Sequence, residues 1–139
     1  MEIRFNEIIS TEELLNGSKQ NLLSEKWDVG IDFVGGEILS SIVKSIKTNG
    51  NITVAGNVES TSINTSILPF ILRGVTLHGI NAEQTPNKSR AIIWGKLSRD
   101  WKPINLKSLY KVITIDDLPK AMKTYLDGNT IGRVVIKHG

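Results

Sequence analysis

Val29-Gly30-Ile31-Asp32-Phe33-Val34-Gly35-Gly36 opens the stretch that decides the fold: an apolar run, a glycine pair, an amphipathic pattern, then Asn49-Gly50 and a second apolar run, Ile52-Thr53-Val54-Ala55. The amphipathic pattern is carried by Ile38, Leu39, Ile42, Val43 and Ile46, whose spacing places all five on one helical stripe. Lys44 and Lys47 fall in the last turns, where cations complement the helix dipole, and Asn49-Gly50 offers a left-handed stop. The stretch reads as strand, helix, parallel strand.

Working outward, Glu7-Ile8-Ile9 is a short apolar run ending at Ser10-Thr11, and Ser18 to Trp27 is expected to form a short helix with Leu22, Leu23 and Trp27 on one side. After Gly56, the polar residues 57–65 read as a loop, with Asn64 and Thr65 as candidate caps for a helix from Ser66 to Arg73 that Gly74 ends. Val75 to Ile80 alternates as a strand, and Thr85-Pro86 reads as a cap plus a first-turn proline opening a helix to about Ser98. Asp116 is expected to cap a helix carrying Leu118, Ala121, Met122, Tyr125 and Leu126 on one face, stopped by Gly128-Asn129. Val134-Val135-Ile136 ends the chain as a strand. Strands alternating with helices imply an α/β fold with a mostly parallel sheet and helices on both faces.

At 139 residues the chain is long enough for one core that buries roughly 68% of the unfolded surface. It has no cysteine and only two histidines, His78 and His138, which argues against a metal centre; none is expected. No apolar run approaches the ~18 residues of a membrane span, and the N-terminus lacks a signal-peptide pattern, so no membrane contact and a cytoplasmic location are expected. The net charge of +3 is small, yet seven basic residues lie between Lys88 and Lys111 against one acid, Asp100. That stretch reads either as a solvated face or as a surface for phosphates of a nucleotide or acyl carrier. Trp94 and Trp101, seven apart, fit one helix face and core packing better than base stacking. A nucleic-acid reading would demand a steep salt dependence, and no nucleic-acid partner is expected.

In an open parallel sheet, ligands bind beyond the carboxyl ends of the strands, which directs attention to the residues after Val34, Ala55 and Ile80. Gly35-Gly36 precedes a helix and reads either as a phosphate cradle or as plain turn geometry. Gly56-Asn57 follows the second strand, where a residue without a side chain lets a flat ligand approach the backbone. Asp32, inside an apolar strand, reads as a capped or solvated strand-end carboxylate rather than a catalytic group, and His78 as a packed or edge histidine. No Gly-x-Gly-x-x-Gly phosphate loop and no nucleophile elbow occurs in the 139 residues.

Several blocks together carry a resemblance: Asp28 to Gly36, Gly50 to Gly56, Leu68-Pro69-Phe70-Ile71-Leu72-Arg73-Gly74-Val75-Thr76-Leu77-His78-Gly79-Ile80 with Thr85-Pro86, and Gly132-Arg133-Val134-Val135-Ile136-Lys137. From about Asn6 to Lys137 the chain resembles the C-terminal part of medium-chain dehydrogenase/reductases, in the zinc-free quinone oxidoreductase and acryloyl-CoA reductase branch. The resemblance implies an incomplete Rossmann-like fold: residues 1–105 as the C-terminal part of a cofactor domain, and 106–139 as a closing segment that would pack on an N-terminal catalytic domain. It also implies hydride transfer from NADPH to an α,β-unsaturated carbonyl, an enoyl-CoA or a quinone, in the full-length enzyme. The family's cofactor contacts would fall on Gly56, Asn57, Ile71, Ala82 and Gly128; no catalytic residue is assigned. Relatives tend to carry Leu, Ser and Asn where this chain has Asn57, Ala82 and Gly128. Backbone contacts survive such changes, whereas side-chain hydrogen bonds at 82 or 128 do not.

Relatives pair through the strand equivalent to Val75 to Ile80, which implies a homodimer. An apolar edge strand is a physical reason for it. The Gly-rich loop and the segment that separates NADPH from NADH have no counterpart here, so the isolated chain is expected to be inactive and to bind NADPH weakly or not at all. The rival expectation is a truncated, non-catalytic α/β module that only folds and dimerises. A Gly-rich loop encoded in frame before Met1 would separate the two.

Overall fold

A computed structural model describes residues 6–138. They form two compact units, Asn6–Thr85 and a unit containing residues 86–138. The division between the two units falls at Thr85/Pro86.

In the first unit, α1 (Thr11–Leu15) is followed by β1 (Trp27–Asp32), α2 (Gly36–Ser45), β2 (Ile46–Val54), α3 (Leu68–Arg73) and β3 (Thr76–Gly79). The sheet order is β1-β2-β3 and both pairings are parallel. Within α2 the stripe does what its spacing predicts at Leu39 and Val43, which are buried with Ile46 and Ile52 of β2 and with Val75, and Trp27, Ile42, Val54 and Phe70 pack around them. Gly30 and Ile52 belong to the sheet face under α2, a Cβ on Gly30 lying 3.0 Å from the Ile42 Cγ2. The alternate residues Val29, Ile31 and Phe33 are more than half exposed.

Several local expectations are corrected. The segment 18–27 is not a helix. The helix lies earlier, at α1, where Ser10 Oγ accepts from the Glu13 amide at 3.1 Å, and Trp27 already belongs to β1. Helix α2 stops at Ser45, because Ile46 turns extended and is fully buried at the start of β2. Asn49-Gly50 is therefore an irregularity inside β2, with Asn49 at φ 61°, and Lys47 is a strand residue paired with Asp28 at 2.8 Å. There the register slips: Trp27 faces Ile46, while Val29 faces Asn51. Neither Asn64 nor Thr65 caps α3; Ser66 Oγ accepts from the Leu68 amide at 3.3 Å, and Pro69 sits in the first turn as expected. Gly74, at φ 61°, ends α3.

In the second unit, α4 (Asn87–Leu97) is followed by a 3-10 turn at Leu106–Leu109, β4 (Tyr110–Ile113), a 3-10 turn at Ile115–Asp117, α5 (Leu118–Leu126) and β5 (Arg133–Ile136). Pro86 rather than Thr85 occupies the N-cap of α4, and Thr85 Oγ1 instead donates to the Asn81 carbonyl at 3.1 Å. Asp117, not Asp116, is the residue at the start of α5. Strand β4, which the sequence reading missed, pairs in parallel with β5. Trp94 and Trp101 are at least half exposed rather than core, and Trp101 lies beyond the end of α4. Among the described residues, no helix is long and apolar enough to cross a membrane.

Candidate functional site

The parallel register aligns Asp32, Val54 and Gly79 at one end of the first sheet, so the segments that follow them share one edge. There an open cleft of about 390 Å³ is lined by Gly35, Leu39, Val54, Gly56, Asn57, Ser60, Thr61, Ser62, Ile63, Leu77 and Gly79. Its lining is largely apolar, with Asn57 and the hydroxyl residues 60–62 as the polar groups. An apolar floor with few polar groups suits a flat, partly polar ring.

The loop after β2 is held in place by backbone bonds. Val58 N donates to the Phe33 carbonyl at 3.3 Å, Glu59 N to Val34 at 2.9 Å, and Gly36 N to Ser62 at 3.1 Å. Gly35, at φ 76°, bridges to Ser60 so closely that a Cβ there would overlap the Ser60 carbonyl. The Gly35 amide donates to Asp32 Oδ2 at 2.9 Å, and the Val34 amide to the same oxygen at 3.2 Å. The amides of Gly35 and Gly36 are thus already engaged, and the pair is turn geometry rather than a phosphate cradle. Asp32 is a capped strand-end carboxylate, but a buried one, with Oδ1 unpartnered in the interior. His78 is an exposed edge residue, its Nε2 lying 3.4 Å from Asn51 Oδ1.

Of the five sequence-derived cofactor residues, Gly56 and Asn57 line the cleft. Ile71 lies on α3 with its side chain 63% exposed, and Ala82 is exposed in the loop after β3; neither lines the cleft. Gly128 lies in the second unit at φ 72°, just past α5. The sequence reading missed the 60–63 segment of the lining, because an irregular loop has no periodicity to detect. Its one legible signal is the run of small hydroxyl residues Ser60-Thr61-Ser62.

No family model matches the chain. Among curated proteins, YhfP of Bacillus subtilis, whose name places it with the quinone oxidoreductases, is 33% identical over 133 residues, covering 95% of this chain and 40% of its own. The acrylyl-CoA reductase AcuI of Ruegeria pomeroyi is 30% identical over 130 residues, covering 94% and 39%. The crystal structure of YhfP with NAD bound superposes at a TM-score of 0.88, covering 96% of this chain and 41% of that one. The chain belongs to the medium-chain dehydrogenase/reductase superfamily.

Within the family it matches the quinone oxidoreductase and acrylyl-CoA reductase branch and corresponds to the C-terminal part of those relatives. It spans about 40% of the length of the curated relatives. The yhdH oxidoreductase from Salmonella enterica, solved with NADP, is similar at 28% identity and a TM-score of 0.86. The α/β architecture with parallel strands is the nicotinamide-nucleotide-binding fold of these neighbours.

Proposed function

We propose that this chain is the nicotinamide-side part of an NADPH-dependent reductase that delivers hydride to the β-carbon of an α,β-unsaturated carbonyl, an enoyl-CoA or a quinone. The observation that carries the reading is the cleft at the carboxyl end of the β1-β2-β3 sheet, floored by Leu39, Val54 and Leu77 and edged by Gly56 and Asn57. A Cβ on residue 56 would meet the Phe33 carbonyl, so glycine there packs the loop tightly on the end of β1 and brings its backbone to the edge of the cleft. The residues present fit a nicotinamide. When bound, the cofactor supplies the hydride; the chain's own part is to hold the ring, set its face and exclude water from it.

Gly56 and Asn57 form one wall in this reading, with Ile71, Ala82 and Gly128 as the further family contacts. Residues 106–139 would close against the catalytic domain, and the protein would act as a cytoplasmic homodimer paired through Val75 to Ile80. The exposed Val29, Ile31 and Phe33 support a chain that works against further protein surface. That feature disfavours the stand-alone module.

The test is a titration of the isolated chain followed by backbone and side-chain amide NMR. Reduced nicotinamide mononucleotide should shift Gly35, Gly56 and Asn57. NADPH should bind no tighter than this half-molecule, because the amides of Gly35 and Gly36 are occupied and no Gly-rich loop is present. Micromolar NADPH affinity would overturn the expected weak binding by the isolated chain; absence of shifts around the cleft would overturn the site.

A further inference from the structure

The basic stretch between Lys88 and Lys111 takes a definite shape within the second unit. Lys88, Ile92 and Lys96 recur every four residues along α4, and Arg99 follows three residues on, in the turn after the helix, so the three cations follow one face. With Ala91, Gly95 and Asp100 they line an open groove of about 540 Å³. Gly95 floors it. A Cβ there would meet only Arg99 Nη2, at 3.9 Å, so nothing packed within the unit requires the missing side chain. Glycine in mid-helix is unfavourable relative to alanine, and no contact offsets it here.

The cations are available for an anion. Among the described residues, Lys88, Lys96 and Arg99 have no carboxylate within salt-bridge reach, the neighbouring Asp100 included. The Lys96 ammonium is held 4.7 Å from the centroid of the Trp101 ring, which restricts its position without neutralising it. No residue of α4 is buried, so packing within the unit does not account for this face.

We propose that this groove binds the phosphorylated adenosine end of a coenzyme A thioester. The inference rests on the reductase reading above and selects the thioester over the quinone, because a quinone carries no phosphate. Coenzyme A presents a ribose 3′-phosphate and a diphosphate a few bonds apart. Arg99 suits bidentate contact with one phosphate, and Lys88 and Lys96 serve as point charges for the other. Ile92 and the bare floor at Gly95 leave room for the base. Three cations confined to one 11-residue helix and its following turn match the phosphates of one small ligand, whereas a nucleic acid needs a stripe that follows its backbone.

The test uses the full 139-residue chain and amide NMR, with coenzyme A, dephospho-coenzyme A and pantetheine as probes. Coenzyme A should shift the amides of residues 88–100, dephospho-coenzyme A should bind more weakly, and pantetheine should leave these amides unmoved. K96Q and R99Q should each weaken coenzyme A binding about fivefold with unchanged thermal melting, and K96R should restore it. Equal binding of pantetheine and coenzyme A, undiminished binding by K96Q and R99Q, or displacement of coenzyme A by a single-stranded oligonucleotide at lower concentration would each overturn the proposal. Reduced nicotinamide mononucleotide reports on the cleft independently. Cleft shifts without α4 shifts sink this inference alone, and α4 shifts without cleft shifts sink the nicotinamide reading alone.

Discussion

A Cβ added to Gly56 would lie 2.5 Å from the carbonyl oxygen of Phe33, so the loop after β2 passes the end of β1 at a distance that only glycine permits. The atoms it would meet are Phe33 backbone, which cannot swing aside as a side chain would. Gly56→Ala should cost about 1–3 kcal/mol through overpacking. Denaturant unfolding checks the loss. The same variant should also lose the nicotinamide-induced shift of the Asn57 amide, since the wall of the cleft must move.

Arg73 ties α3 to the end of α2. Its Nη1 donates to the carbonyls of Lys44 at 2.9 Å and Ile46 at 3.2 Å, and its Nη2 donates to Leu23 at 2.7 Å. Nε lies 3.2 Å from Glu25 Oε1. Arg73→Lys should destabilise the fold by about 2 kcal/mol, because one ammonium cannot satisfy three carbonyls arranged for a planar fork. Urea denaturation of the two proteins is the comparison; equal midpoints would show the fork to be dispensable.

Asp32 caps its own turn. Replacing it by alanine strands the buried Gly35 amide, at about 1–3 kcal/mol, and the half-buried Val34 amide, at less. Asp32→Asn keeps one acceptor oxygen and should lose less. The ordering wild type, asparagine, alanine in melting temperature is the expected outcome, and alanine equal to wild type would contradict it.

Strand β3 is an edge of its sheet, with Ile80 just beyond it 51% exposed. A charge at that edge opposes pairing with a second copy. If the chain pairs through β3 as proposed above, the wild type should sediment as a dimer and Ile80→Lys as a monomer with unchanged circular dichroism; a monomeric wild type would overturn the pairing. A dimer that persists would place the self-contact elsewhere.

The parts legible in the sequence are those written in local periodicity. The α2 stripe, the αL glycine that ends α3, the apolar face of α5 and the last strand are all set by residues within two turns of one another. The boundary between α2 and β2 was not legible, because it depends on burial of Ile46 and on Arg73, whose contact with the Ile46 carbonyl spans 27 positions. Strand β4 escaped notice because its register comes from β5, which pairs Tyr110 with Arg133. Of the site, Gly56 and Asn57 were marked by following an apolar run. Residues 60–63 were not, because backbone bonds to Phe33, Val34 and Gly36 place that loop.

Side-chain spacing decides which face of each element is apolar, so the succession of strand, helix and strand from Val29 to Ala55 is written in local pattern. The lack of a Gly-rich phosphate loop within these residues is legible there too. Folding in three dimensions makes Gly35-Gly36 a turn with its amides taken, forces glycine at 56 against the Phe33 carbonyl, and gathers Lys88, Lys96 and Arg99 along one groove without a carboxylate partner among the described residues. Those outcomes depend on which polar groups meet in space, and hydrogen bonds and charges are paired by folding, not by order along the chain.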